Sequence, residues 1–283
     1  MVSFRSASGQ AQHAARSLTL PSQGTERNYQ QALKGCAEFL RASRLGDLRT
    51  LTVDKAIAYL DARSLGFSQK TIDMDRQAME AVIGKKLPII KSELNTILAS
   101  RAYSHEQAKI VAGAQREKYS LSTLIAEGAG LRAHELLTLR LSAERQADTH
   151  REYRPDRFEG CNDFVIYTVE GKGGLCREVA VDRALAEQLE LRRLPKPRTV
   201  YDRKIGYRQH YDIGGGKKWS DSFSKASQRA LGWTNGAHGV RHSYAQNRMN
   251  KLQEIGYSYL DALEIVSQEM GHFRSDITLT YLR

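Results

Sequence analysis

The sequence predicts a mainly helical protein with a small antiparallel β-sheet, divided into two domains. Apolar residues recur at helical spacing from residue 25 to about residue 100, and again through the C-terminal part of the chain. Strand signals are confined to the middle, where DFVIYTVEG and LCREVAV are β-rich and alternate partly in polarity. Between those two runs Gly171-Lys172-Gly173-Gly174 is a strong turn signal, which makes the pair a hairpin with Lys172 at or beside its tip.

Taken in order, residues 1–24 are rich in Ser, Gln, Ala and Gly and read as a flexible tail. Structure is expected to begin at Thr25, a plausible N-cap. TERNYQQALKGCAEFLRASRL then places Tyr29, Leu33, Ala37, Phe39 and Leu40 near one helical face. Thr52 opens a second helix that Gly66 stops. Ser68 caps a third, with Ile72, Met79 and Val82 on its buried side. A shorter fourth helical segment follows Pro88, so residues 25–100 form a compact helical domain.

The second domain, residues 103–283, starts with Ser104 ahead of His105-Glu106-Gln107, which resembles a helix start. YSLSTLIAEGAGL reads as a buried helix broken by Gly128 and Gly130. LRAHELLTLRL reads as another helix, with Arg132 near its N-terminus. Beyond the hairpin, Pro195 and Pro197 mark a loop, and Gly214-Gly215-Gly216 with Lys217 and Lys218 mark a mobile basic one. Helix returns at SDSFSKASQRALGW and continues through most of the remaining chain.

Composition narrows the partner. The 283 residues hold 43 Lys and Arg against 32 Asp and Glu, a net charge of +11. Such an excess favours a polyanion, nucleic acid ahead of an anionic membrane. Cys36, Cys161 and Cys176 are widely spaced and contain no CxxC pair, which argues against a zinc finger or disulfide framework and fits a reducing cytoplasm. The N-terminal residues have no apolar signal region, and no apolar run approaches a membrane span, so the chain reads as cytoplasmic.

The chemistry-bearing residues are Arg132, Lys172, His238, Arg241, His272 and Tyr281. Two guanidiniums suit the equatorial oxygens of a phosphodiester under attack, through charge-assisted hydrogen bonds. Histidines donate hydrogen bonds or shuttle protons, and a hairpin lysine can protonate a leaving oxygen. Tyr281 is the candidate nucleophile, since nearby cations favour a phenolate. Singly, each has a plainer reading: a helical Arg is usually a surface charge and a terminal Tyr usually packs. His238 and His242 stand four apart, yet Gly239 occupies the place of a zinc-protease glutamate, so no metal is expected. The Gly214–Lys218 run fails the P-loop pattern. Lys70 and Arg76 are candidate phosphate contacts, with solvated helix charges the equal alternative.

Four segments, GLRAHELLTL, EGKGGLCREVAV, HGVRHSYA and EMGHFRSDITLTYL, resemble in order and approximate spacing the signatures of the tyrosine recombinase (phage integrase) family. TERNYQQAL and FSQKTIDMDRQAM are similar to that family's core-binding domain. The resemblance implies a DNA-binding helical domain followed by a catalytic domain, and cutting and rejoining of double-stranded DNA through a 3′-phosphotyrosine without metal or cofactor. It implies Arg132 and Arg241 as the catalytic arginines, Glu135 as their acidic support and Lys172 as general acid for the 5′ hydroxyl. His238 would complete the His-x-x-Arg pair, His272 would bond the phosphate and Tyr281 would be the nucleophile, with Tyr244 a weaker candidate. It further implies a specific recombination site, a homotetramer on DNA, nucleoid association and a mobile-element setting. The span from Arg241 to His272 is long for the family. The chain ends two residues after Tyr281, so a docking C-terminal helix is expected to be absent or replaced, as is an N-terminal arm-binding domain. The rival readings are a type IB topoisomerase-like relaxase and a sequence-specific DNA-binding protein whose catalysis has lapsed.

Overall fold

The computed structural model describes residues 6–94, 99–171 and 173–283. The chain divides into two compact units, Met1–Ile97 and Leu98–Arg283.

The first unit is helical: α1 (Ala7–Arg16), α2 (Gln23–Ala42), α3 (Val53–Ser64) and α4 (Gln69–Ile83), with a 3-10 turn at Leu48–Thr50. Leu33, Cys36 and Leu40 of α2 meet Leu60 of α3 and Ile72 and Met79 of α4 in one core. Each such buried aliphatic side chain contributes about 1.5–3 kcal/mol relative to exposure. Asp75 is buried in this core, accepting from Arg63 Nε at 2.9 Å and facing the Tyr59 hydroxyl at 3.4 Å. Burial pushes its carboxyl up, although Arg63 opposes the shift.

Three expectations for this unit are corrected. Residues 7–16 are a helix, where the sequence suggests a flexible tail. Ser6 caps it by accepting from Gly9 N, and Ala11 and Ala15 are buried. An alanine stripe carries little hydropathy contrast, so periodicity alone does not announce it. The cap of α2 is Ser22, whose Oγ accepts from Thr25 N at 3.1 Å, and Thr25 lies inside the helix. Residues 88–94 form no helix.

The second unit opens with α5 (His105–Gly113), started by a capping box between Ser104 and Gln107, and α6 (Glu117–Gly128). After a 3-10 turn at Glu135–Leu137 come β1 (Arg140–Leu141), β2 (Phe164–Glu170) and β3 (Cys176–Asp182) in one antiparallel sheet of that order. Next are α7 (Arg183–Glu190), an antiparallel hairpin of β4 (Arg193–Asp202) and β5 (Ile205–Tyr211), then α8 (Gly216–Leu231), α9 (Gly239–Glu254), α10 (Tyr259–Glu269) and α11 (Ser275–Leu279). Tyr167 and Val169 of β2 and Val179 and Val181 of β3 pack in one cluster with Ile125, Leu136, Trp219, Phe223 and Val240. A second cluster joins α9 to α10 and takes in Tyr281.

The mainly α class with small antiparallel sheets is as expected. Three details differ. Arg132 stands in a turn ahead of the 3-10 segment, not on a helix. Pro195 and Pro197 lie in strand β4. This is permitted because β4 pairs only with β5 and its register shifts between Arg193 and Arg198, where a missing N–H is harmless. Gly216 to Lys218 form the first turn of α8, with Lys217 N donating to Asp202 Oδ1 at 2.8 Å, so the lysines are not on a mobile loop.

Candidate functional site

The second unit gathers its candidate residues around one carboxylate. Glu135 is fully buried at the start of the 3-10 turn. Its Oε1 accepts from Arg132 Nη1 at 2.7 Å, and its Oε2 accepts from Arg132 N at 2.8 Å and from Arg177 Nη2 at 2.9 Å. Arg241 Nη1 lies 3.7 Å from Oε2. One carboxylate therefore faces three guanidiniums. Burial alone would raise its pKa, but Arg177, Arg132 and Arg241 overcome that and hold it far below the usual carboxylate range.

The turn after α10 completes the frame. The Met270 carbonyl accepts from Arg241 Nη2 at 3.2 Å and faces Arg132 Nη1 at 3.4 Å, while the Glu269 carbonyl accepts from Arg177 Nη1 at 2.7 Å. Gly271 has φ +70, and a Cβ there would stand 2.7 Å from Arg177 Nε, so this approach requires glycine. Arg241 also donates to the Gly130 carbonyl at the end of α6. Gly130 has φ +62, and a Cβ on it would fall 2.5 Å from the Tyr244 ring. Even with these partners, Nε of Arg177 and Nε of Arg241 are buried and unbonded among the described residues.

His272 bridges this frame to Tyr281. Its Nε2 lies 3.1 Å from Arg241 Nη2, and its Nδ1 lies 3.1 Å from Thr278 Oγ1. An arginine only donates, so Nε2 accepts and Nδ1 carries the proton toward Thr278. The Tyr281 ring is enclosed by three imidazoles, with centroids at 4.8 Å to His242, 5.1 Å to His272 and 5.4 Å to His238. Arg241 Cζ stands 5.4 Å from the same centroid. α11 delivers Tyr281 to this position: its backbone N donates to Thr278 O at 2.8 Å, and its carbonyl accepts from Gln246 Nε2 of α9 at 3.1 Å.

Electrostatics makes the imidazoles neutral near pH 7. Burial first, then Arg241, pushes His272 down to about 3, and burial first, then Arg101, pushes His242 down to about 4; His238 is shifted the same way, but its ring is solvent-exposed and water opposes the shift. Burial and the neighbouring Arg132 push Arg241 down to about 10, which leaves it charged. The surplus positive charge therefore resides on arginines.

The structure brings together Arg132, Glu135, His238, Arg241, His272 and Tyr281. Lys172 lies outside the described residues; of its neighbours, Gly171 N donates to Leu175 O at 2.7 Å. Lys70 and Arg76 belong to the first unit. Lys70 is exposed, and Arg76 is engaged by Glu80 at 2.8 Å and Asp73 at 3.8 Å. Tyr244 is not at the cluster: its hydroxyl donates to buried Glu269 Oε2 at 2.8 Å, and burial drives its pKa well up. No group of three or more His, Cys, Asp or Glu able to hold a metal gathers among the described residues.

Sequence reasoning missed Arg177 and His242 as members. For Arg177 a signal existed, since it shares strand parity with Val179 and Val181, which puts a cation on the buried face of β3. His242 follows Arg241 directly and reaches Tyr281 because α9 turns both toward the cluster.

No protein-family model and no curated protein matches the sequence. Solved structures do match in shape. The XerH site-specific recombinase bound to palindromic difH substrate, a post-cleavage complex, aligns with a TM-score of 0.59 at 14% identity, over 98% of this chain and 90% of that one. The Tn1549 transposon integrase in complex with transposon right end DNA gives a TM-score of 0.59 at 14% identity, over 98% and 95%. A lambda integrase tetramer bound to a Holliday junction gives 0.54 at 15% identity, over 96% and 74%. At such identities the likeness is one of backbone architecture, and the architecture that carries the arginine–histidine–tyrosine cluster is the tyrosine-recombinase fold.

Proposed function

We propose that this protein is a site-specific DNA recombinase or integrase that cuts and rejoins duplex DNA through Tyr281. The observation that carries the reading is the enclosure of the Tyr281 ring by Arg241, His238, His242 and His272, beside a buried array with more guanidiniums than carboxylates. Such an array is complementary to a phosphodiester and more so to its pentacovalent transition state.

In this reading Arg132 and Arg241 clamp the non-bridging oxygens, while Glu135 and Arg177 fix the clamp. The Tyr281 oxygen attacks phosphorus, a phosphotyrosine bond forms and the bond to the 5′ oxygen breaks. Lys172 supplies the proton to that leaving oxygen, and the imidazoles of His238 and His242, made more basic by the negative charge of a bound phosphate, take the phenolic proton. His272 accepts from Arg241 and so orients its guanidinium. Its direct bond to a phosphate oxygen requires a proton on Nε2, which the imidazole gains by tautomer exchange or protonation when the phosphate displaces that contact. The reverse sequence reseals the strand. From the neighbouring structures we carry over a duplex DNA partner and, from the lambda integrase complex, assembly as four protomers; a mobile-element setting, nucleoid association and the two-domain division into DNA-binding and catalytic parts belong to the same proposal.

The test is a pool of nicked duplexes of randomised sequence, in which the cleaved end diffuses away and traps the intermediate. Wild type is expected to give a denaturant-resistant protein–DNA adduct and Tyr281→Phe none. Equal adduct yield from both would remove Tyr281 as the nucleophile. Site-independent relaxation of supercoiled plasmid, without recombinant product, would favour a relaxase instead.

A further inference from the structure

We propose that the β4–β5 hairpin is a second DNA-contacting element, a rigid arm whose tip binds the phosphate backbone of duplex DNA beside the Tyr281 cluster. The proposal rests on the DNA reading of that cluster.

Residues 193–211 carry six of the chain's Lys and Arg residues and a single carboxylate, Asp202. The cations divide by position. Those at the base are matched: Arg193 donates to Glu190 Oε2 and Glu144 Oε1, both at 2.7 Å, and Arg198 donates to Asp212 Oδ1 at 2.6 Å. Tyr167 and Tyr211 hydroxyls donate to the same Glu190 at 2.7 and 2.8 Å, which fastens the hairpin to the three-stranded sheet. Lys196, Arg203, Lys204 and Arg208 are exposed and form no ion pair among the described residues. Asp202 forms no ion pair with them among the described residues; its Oδ1 faces the body instead, accepting from Lys217 N at the start of α8. Cations of a purely solvated surface are usually interspersed with carboxylates; here, apart from Lys196 at the base, the unpaired cations Arg203, Lys204 and Arg208 lie at and beside the tip.

Register gives the arm two unlike faces. Val200 pairs with Tyr207 on the inner face, where the Tyr207 ring lies 6.1 Å from that of His134, the neighbour of Glu135. Thr199 pairs with Arg208 and Tyr201 with Gly206 on the outer face, and Tyr201 is 72% exposed there. The tip adds a conformational argument. Arg203 and Lys204 both adopt left-handed backbone, φ 49 and 70, in a two-residue turn that Asn-Gly would form with less strain. Strain accepted at a tip in order to display two cations points to a binding role. A two-stranded ribbon has the width to follow a DNA groove while its cations meet the phosphates.

The test replaces Arg203→Asn and Lys204→Gly together in the full chain, which removes both charges and installs the preferred turn, so folding is retained. Binding to a labelled duplex of random sequence is measured across a KCl series. The slope of log affinity against log salt is expected to flatten by about 2, near 0.9 for each lost phosphate contact. Lys109→Ala with Arg183→Ala, whose cations pair with Glu106 and Asp163, removes the same charge elsewhere and is expected to leave the slope unchanged. A hairpin variant with the wild-type slope, or a control that flattens it equally, overturns the arm. A wild-type chain that binds no duplex at all sinks the DNA reading and the arm with it.

Discussion

Two buried carboxylates in the second unit, Glu135 and Glu269, have opposite charge environments. Glu269 accepts from Arg248 Nη2 at 2.7 Å and Arg248 Nε at 3.0 Å, from Phe158 N at 3.0 Å and from the Tyr244 hydroxyl at 2.8 Å. One guanidinium balances one carboxylate, and burial of Arg248 is outweighed by its bonds to Glu269, which raise its pKa. Glu135 instead faces Arg132, Arg177 and Arg241, with buried Nε donors left over. The closed pair is complete as it stands, whereas the open array is electrically complete only with an anion. This difference separates the residues that hold the fold from those suited to a phosphate.

The largest expected effect separates the two directly. Glu135→Gln and Glu269→Gln should each destabilise by about 3–5 kcal/mol in urea unfolding, because each leaves buried guanidinium charge uncompensated. Sulfate should restore part of the loss in Glu135→Gln and none in Glu269→Gln. Equal rescue, or none in either, would break the distinction.

An intermediate effect is acid sensitivity on the Glu135 side, where His238, His242 and His272 sit. In the folded chain the pKa values of buried His242 and half-buried His272 are pushed down to about 4 and 3. In the unfolded chain they take up protons near pH 6.5, so the unfolded state gains protons first. Stability is thus fully present above about pH 6.5 and is lost as pH falls toward the folded values. Between pH 6 and 5 the stability read from urea unfolding should drop by about 2–3 kcal/mol, roughly 1.2 for each of the two imidazoles. A flat midpoint over that interval would mean that His242 and His272 are not shielded around Tyr281.

The smallest effect tests the closed pair alone. Tyr244→Phe should cost about 1.5–3 kcal/mol of stability through its lost bond to a charged acceptor, with adduct formation on nicked DNA retained. Loss of the adduct in a folded Tyr244→Phe variant would reassign chemistry to that hydroxyl.

The parts of this molecule legible in the sequence were those with a local signature. Arg132, His238, Arg241, His272 and Tyr281 stand in short motifs whose order resembles a known family, and the fold brings them near one another. Arg177 was hidden because polarity alternation treats a cation on a strand as outward, while three-dimensional contact with Glu135 turns it inward. The β4–β5 hairpin was hidden by Pro195 and Pro197, which argue against a strand unless its edge is unpaired. α1 was hidden because its buried face is made of alanines, and its stabilisation comes from packing rather than local pattern. The turn at Arg132 looked helical because LRAHELL has helical spacing, yet the reach of Glu135 back to Arg132 N holds a tighter local bend.

Gly130 lies between the two charge systems. Its carbonyl takes the Arg241 guanidinium, and its bare Cα makes room for the Tyr244 ring that binds Glu269. A side chain there strikes the Tyr244 ring and strains the left-handed backbone whose carbonyl holds Arg241. In a laboratory-evolution library this position should behave as frozen ground, yielding no folded but inactive clones, whereas Tyr281 should yield them readily. The contrast in library survival between those two positions is a readout of how tightly chemistry and fold are interlocked in this chain.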